Sequence, residues 1–193
     1  MDILITAGAT WIKVDQVRIL TSCFTGKTGL DLARQLQLKG HKVTLIVNPH
    51  CLGKVKGVRV VTFRYFDEFK KTVSNILQKD RFDVIIHTAA VSDYRLKNTF
   101  KGKLASARKS VVLRLSPTEK IIKLIRRKAQ KSLIIQFKLE AGCKTLIKKA
   151  YQSLLTNKSD FVVANALTDL QSRYRSFLID REKKVVAIRQ EPA

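Results

Sequence analysis

The sequence predicts an α/β fold: a doubly wound, mainly parallel sheet with helices on both faces and a C-terminal β-hairpin. Three observations predict it. Short apolar runs alternate with stretches of helical period from residue 3 to residue 164. The run at 83–88 carries the unbroken apolar centre Val84-Ile85-Ile86, as a strand covered on both faces requires. Near the end, two strand-like runs flank the charged turn Asp180-Arg181-Glu182-Lys183.

Each element follows in order. Residues 3–6 form an opening buried strand. Residues 29–39 carry Leu30, Ala33 and Leu36 at helical spacing, and Gly40 closes that helix. Strands follow at 42–47 and 58–63. A helix over 66–78 places Phe66, Phe69, Val73 and Leu77 on one face, and 83–88 is the fourth strand. A basic loop at 97–110 leads to a strand at 111–115, after which Pro117 opens a helix in its first turn, where a missing N–H costs nothing. Residues 133–139 are strand, 144–155 helix and 160–164 strand. The runs at 173–179 and 184–188 pair as a hairpin, about residues 172–189. This alternation is that of a Rossmann-like sheet. A length of 193 residues with 45% hydrophobic content and no linker or repeat predicts one domain over 1–193.

Composition excludes some classes. No apolar run reaches the length of a membrane span, and the chain opens directly into Ile3-Leu4-Ile5 without a charged leader, so a cytoplasmic protein with no membrane association is expected. Cys23, Cys51 and Cys143 are odd in number and widely spaced, which supports neither a disulfide framework nor a zinc site. The outlier is charge: 38 Lys and Arg stand against 15 Asp and Glu, a formal +23. From Lys101 to Lys158 there are sixteen basic residues and two acidic ones, Glu119 and Glu140. Nucleic-acid binding, steering of a phosphorylated small molecule, and a solvated basic surface all fit that excess. The basic residues nevertheless alternate with an apolar stripe at Ile121, Ile122 and Ile125, as on the polar face of a helix.

In an open α/β sheet, ligands bind beyond the carboxyl ends of the strands. Three segments arrive there. Thr6-Ala7-Gly8-Ala9-Thr10 lacks the spaced glycines of a dinucleotide site. Gly26-Lys27-Thr28 imitates the end of a phosphate loop, but Thr21 stands where that loop needs its first glycine; the helix start behind it still favours an anion. The third segment ends a strand in Ala89-Ala90 and delivers Asp93, with Lys103 following Gly102 in the basic loop. A strand-end carboxylate paired with a loop lysine suits chemistry on an anionic substrate. A nicotinamide-dependent reductase is disfavoured, because the glycine fingerprint is missing and position 98, four after Tyr94, is Asn.

Read in order, ITAGAT, VDQVR, TSCFTGKTG, HTAAVSDYR, GKLAS, LSPTEKII, FKLE and DFVVANAL make this chain resemble the phosphopantothenoylcysteine synthetases of coenzyme A biosynthesis, over about residues 3–167 and in stand-alone form. The resemblance implies a phosphopantothenate–cysteine ligase. CTP or ATP, accompanied by Mg2+, activates the carboxylate of 4′-phosphopantothenate as an acyl nucleotidylate, and the amine of L-cysteine displaces the nucleotide. It implies catalytic roles for Lys103 and Ser22, and nucleotide contacts from Gly8, Thr10, Ala89, Asp93, Lys103, Pro117, Thr118, Phe137 and Lys158, with Lys149 a weaker phosphate contact. It assigns substrate contacts to Arg18, Ser22, Gly26, Ala90 and Asp93. A homodimer is implied as well, with the hairpin and basic loop as its elements. The chain departs from the family pattern at Ala9, where a glycine is usual, at Ser22, where an asparagine is usual, and at Phe24, where a serine is usual. A hydroxyl lacks the reach and fork of an amide, so the departure at Ser22 predicts a slowed second half-reaction or an altered substrate. The alternative is a diverged, weakly active or inactive homologue that binds nucleotide or nucleic acid through its basic surface.

Overall fold

The structure is a computed structural model that describes residues 1–51, 53, 55–107, 109–172 and 175–189. Its elements in chain order are β1 (Asp2–Ala7), β2 (Ile12–Lys13), β3 (Ile19–Leu20), α1 (Lys27–Leu38), β4 (Lys42–Val47), β5 (Arg59–Thr62), α2 (Phe66–Lys79), β6 (Val84–His87), β7 (Tyr94–Leu96) and β8 (Leu115–Pro117). There follow α3 (Ile121–Lys128), β9 (Leu133–Glu140), α4 (Leu146–Asn157), β10 (Phe161–Ala166), α5 (Leu167–Ser172), β11 (Arg175–Asp180) and β12 (Val185–Arg189). Among the described residues eight strands make one sheet in the order β12-β11-β10-β9-β6-β1-β4-β5. The strands from β5 to β10 in that order pair in parallel, and β11 and β12 add antiparallel at the edge.

β1 is central because it is apolar on both faces. Ile3, Ile5 and Ala7 point toward α1 and pack with Leu30, Ala33, Val43 and Leu45. Leu4 points to the other side and joins Phe69 and Val73 of α2, Ile122 and Ile125 of α3, Ile85 and Ile134. Helix α4 continues this second layer, burying Leu146, Ala150 and Leu154 over Val162 and Ala164. The layers are therefore unequal. α1 covers only the β4, β1 and β6 part of its face, and Val163, Asn165 and Ile188 of β10 and β12 border open space there.

The hairpin forms as expected and joins the main sheet through β10, with Phe161 opposite Asp180. The expected hairpin start, Arg173, lies outside the described residues. Two expectations are corrected. Residues 111–114 have no strand partner, and Val112 is 76% exposed, so their β-branched composition has no face to bury. The strand comes later, at Leu115–Pro117, paired antiparallel with Tyr94–Leu96. Pro117 ends that ribbon opposite Tyr94 instead of opening a helix; α3 begins at Ile121 with Lys120 in extended conformation as its N-cap. Proline at a strand edge lacks only a donor that the edge does not use.

Two glycines set the backbone where strand meets helix. Gly8, after β1, has φ +81° and Gly26, before α1, has φ +77°, both in the left-handed region. A Cβ on Gly26 would stand 2.5 Å from Cys51 Sγ, 2.7 Å from Gly8 N and 2.9 Å from Gly8 Cα. One on Gly8 would meet the same sulfur at 2.5 Å. Gly40, by contrast, has φ +81° with nothing near its missing Cβ.

Two measurements check this reading. Gly40→Ala carries only the backbone penalty, whereas Gly26→Ala adds a collision and is expected to cost at least about 2 kcal/mol by urea unfolding. Removing the sulfur with Cys51→Ala restores only part of that loss, because the Gly8 backbone cannot withdraw. The second concerns His87, whose Nδ1 shares a 2.8 Å hydrogen bond with the Thr6 hydroxyl and whose ring stacks on Phe69. Burial pulls its pKa down from 6.5 to about 4. An unfolded chain then binds the proton more readily than the folded one, so stability is complete above pH 6.5 and lost as pH falls toward 4. Between pH 7 and 4.5, wild type should lose about 2 kcal/mol more than His87→Gln.

Candidate functional site

The carboxyl ends of β1, β6, β9 and β10 meet the start of α1 around a cavity of about 430 Å3. Its lining brings together five residues expected from sequence: Gly8, Gly26, Ala89, Ala90 and Phe137. The absence of side chains is what opens it. Gly29 lies so close to β1 that a Cβ would stand 2.5 Å from the Ala7 methyl, which fixes the helix against the strand. Gly26, the N-cap of α1, has no side chain to cap the helix; the Thr25 hydroxyl accepts from Lys27 N at 3.4 Å, and the positive end of the helix dipole faces the lining. Lys27, also in the lining, pairs with Asp31 at 2.6 Å.

The turn after β1 is locked to the turn after β6. Ala90 N donates to Gly8 O at 2.9 Å and Thr10 N to Ala90 O at 3.2 Å. Thr10 is fully buried, and its hydroxyl accepts from Ser92 N at 2.8 Å and donates to Ser92 Oγ at 3.1 Å. Its side chain therefore holds the two turns together and presents no surface to a ligand. Ala9 fits in this lock with its carbonyl accepting from Asn48 Nδ2 at 2.7 Å. Thr6 Oγ1 accepts from Ala89 N at 3.4 Å, so the His87–Thr6 pair reaches the alanine turn from below.

Asp93 directly follows Ser92 of this lock. Its backbone carbonyl accepts from Thr118 N at 2.9 Å, and the Thr118 hydroxyl donates to Ser92 O at 2.7 Å. The Asp93 carboxylate, largely exposed, pairs with Lys120 at 2.6 Å. Asp93, Pro117 and Thr118 are thus gathered by the β7–β8 ribbon. Lys120 is a neighbour that reading did not nominate.

Lys103 lies exposed in the basic loop, and a buried carboxylate places it. Asp15 is 1% exposed. It accepts from Leu104 N at 2.9 Å, Arg18 N at 2.7 Å and Val17 N at 2.8 Å, and pairs with the Arg18 guanidinium. Gln16 N donates to Gly102 O at 3.2 Å, so the backbone on both sides of Lys103 is held. Burial by itself would raise the Asp15 pKa; the amides and the guanidinium outweigh it and hold the carboxyl well below the usual range. Arg18 is therefore tied to Asp15 and to Leu104 O at 3.3 Å. It borders a second cavity of about 430 Å3 with Leu20, Leu104 and Val111.

Ser22 is exposed in the segment between β3 and α1. Lys158 stands apart from the rest. It caps the end of α4 at φ 55°, just before β10, so it lies at the opposite end of the sheet from the cavity, with its carbonyl accepting from Arg181 at 2.9 Å. Lys149, earlier on α4, is on the cavity side and pairs with Glu140 at 2.7 Å. Lys149 and then Lys138 pull the Glu140 pKa down. Sequence reasoning quoted FKLE and VVAN without nominating their polar members. The structure places Lys138 and Asn165 in the cavity lining, Asn165 accepting from Ser176 at 2.5 Å. Strand alternation puts Phe137 and Asn165 on the face that α1 leaves open, whereas Lys138, registered with Ala164, alternates to the other face.

Known proteins agree with this architecture. The family model described as DNA/pantothenate metabolism flavoprotein C-terminal domain matches residues 1–191. The coenzyme A biosynthesis bifunctional protein CoaBC of Thermococcus kodakarensis is 33% identical over 169 residues, covering 86% of this chain and 41% of that protein. This chain thus spans less than half of that relative. The crystal structure of the DNA/pantothenate metabolism flavoprotein from Streptococcus pneumoniae superposes with a TM-score of 0.88 at 25% identity, covering 98% of this chain and 93% of the other. A Cab2 mutant in complex with phosphopantothenate-cysteine shares the fold with a TM-score of 0.85 at 18% identity, over 98% of this chain and 80% of that one. The match along nearly the whole chain, on a sheet whose strand ends carry the expected small residues, establishes that this chain belongs to the family of the DNA/pantothenate metabolism flavoprotein C-terminal domain, the phosphopantothenoylcysteine synthetase family.

Proposed function

We propose that this chain is a cytoplasmic phosphopantothenate–cysteine ligase that forms an acyl nucleotidylate from CTP or ATP. One observation carries the reading. A cavity walled by side-chain-free backbone at Gly8 and Gly26 and by the start of α1 lies beside a ribbon that gathers Asp93, Pro117 and Thr118. Such a wall suits phosphate, which needs close amides and positive potential.

In the first step a carboxylate oxygen of 4′-phosphopantothenate attacks the α-phosphorus, and the bond to the pyrophosphate leaving group breaks. In the second, the cysteine amine attacks the acyl carbon, the carbon–oxygen bond to the nucleotide breaks, and the nitrogen loses a proton as nucleoside monophosphate departs. Charge accumulates on phosphate in the first step, so fixed positive groups lower its barrier more than a proton shuttle would. Lys103, held on both sides by the Asp15 loop, supplies that charge. Asp93 accepts hydrogen bonds from sugar or base donors of the nucleotide, releasing Lys120 toward phosphate. Among the described residues no group of three or more His, Cys, Asp or Glu side chains forms a metal cage. A magnesium ion brought by the triphosphate would take its ligands chiefly from phosphate and water.

A second copy of the chain completes the reading. The face that α1 leaves open exposes Val186 and Ile188, and the loops near Lys103 expose Val17, Val111 and Val112. Apolar surface of this kind, beside a cavity open on the same side, favours a homodimer whose partner closes the site. Among the described residues no helix is long and apolar enough to cross a membrane.

Pyrophosphate release with CTP and ATP in parallel, with and without 4′-phosphopantothenate and cysteine, tests the proposal. Release that depends on phosphopantothenate is expected, and Lys103→Ala should reduce it at least about 100-fold without lowering the unfolding midpoint. Silence with both nucleotides would favour the diverged, anion-binding reading. Ser22→Asn is expected to raise the rate of product formation on cysteine addition while leaving pyrophosphate release nearly unchanged. An equal rate would show that the 21–26 segment works with serine.

A further inference from the structure

The amino edge of the sheet, opposite the candidate site, carries a groove of about 690 Å3, larger than either cavity described above. We propose that this groove binds a small ligand bearing two or more phosphate groups. Its walls are the turn from α2 to β6, the turn from α3 to β9, and the start of β1.

Four cations line it: Arg81 from the first turn, and Arg127, Lys128 and Lys131 from the second. None of the four meets a carboxylate among the described residues. The three carboxylates in the lining are already engaged: Asp80 by Arg59 at 2.7 Å, Asp2 by Lys42 at 3.0 Å, and Asp83 by the backbone N–H of Asp2 at 2.8 Å. Cations from outside the lining neutralise Asp80 and Asp2, and the four lining cations outweigh the one carboxylate, Asp83, that meets only an amide.

Helix dipoles act against an anion here, since α2 and α3 both end at this groove and each contributes about half a negative charge. Arg126 removes much of that objection. Its Nη1 donates to the carbonyls of Gln130 and Ser132 at 3.1 Å and of Ala129 at 3.4 Å, and its Nη2 pairs with Asp160. The carbonyls of the α3 turn are therefore served by a cation outside the lining, which leaves Arg127, Lys128 and Lys131 to face the groove. The two turns are also tied to each other, Ser132 Oγ donating to Phe82 O at 2.6 Å. Cations on two linked turns around a concavity wider than one phosphate match a ligand with phosphates some distance apart, and Arg suits their bidentate recognition.

Equilibrium dialysis of the whole chain against labelled tripolyphosphate tests the assignment. Two classes of site are expected, one at the candidate active site and one at the groove. Arg127→Ala with Lys131→Ala should weaken the groove class about tenfold or more, by loss of charge-assisted contacts. Arg81→Gln, on the other turn, should weaken it independently, while Lys103→Ala leaves it intact. Pyrophosphate release is expected to be unchanged in the groove variants, so the groove stands or falls apart from the ligase reading. Binding altered less than twofold in both groove variants, each with an unchanged urea midpoint, would overturn the proposal. So would a single-stranded oligonucleotide that binds through these residues when tripolyphosphate does not, which would make the groove part of a nucleic-acid surface.

Discussion

Three backbone segments come together at Gly8, Gly26 and the Ala89-Ala90 turn, and the rest of the structure is arranged around that approach. β1 lies between β4 and β6, so the turn that follows it has to pass under the start of α1 while staying bonded to the turn after β6. A single Cβ at either glycine would collide with Cys51 or with the other glycine's backbone. The cavity exists because side chains are absent from its wall. The buried Thr10 hydroxyl, committed to Ser92, keeps the turns from separating, which converts a packing constraint into a fixed binding wall. Rigid backbone amides need no reorganisation when charge develops beside them.

Charge in this molecule divides by burial. Asp15 is enclosed and fully engaged, and it holds the loop that bears Lys103. Lys103, Asp93 and Ser22 are exposed. An ionised group buried without partners would be too costly, so a carboxylate that organises a loop must saturate itself with amides and a guanidinium. A group that changes partners during a reaction cannot be saturated in that way. The pairing of Asp93 with Lys120 in an exposed position fits such a group, because an exposed ion pair is weak enough to exchange.

Much of this was readable from the sequence. Strand runs and helical periods located the sheet strands and the four longer helices, since burial on one or both faces leaves a clear period in residue type. The motif at Ala89 to Asp93 pointed to the strand end where the cavity forms. Residues 111–117 misled because Val and Leu signal a strand only when another element offers them a face, and here the partner, Tyr94–Leu96, admits only three residues. Order along the chain does not reveal which end of a helix points to the site, and α4 runs back to the amino edge before Lys158 is reached. Asn165 and Lys138 were missed because a polar residue in a strand says nothing by itself about what lies opposite.

The net charge of +23 is the feature whose meaning changes most between sequence and structure. Many of its members have local duties. Arg126 serves the carbonyls of a turn, Arg181 those of Lys158 and Ser159, and Lys42 and Arg59 neutralise carboxylates. Such cations stabilise the fold's ends and report nothing about a ligand. The informative ones face a concavity without a carboxylate of their own, and composition cannot separate the two kinds because both add one unit to the same total. What distinguishes them is whether their hydrogen bonds are already satisfied within the chain, and that depends on which turns and helix ends the fold brings within reach.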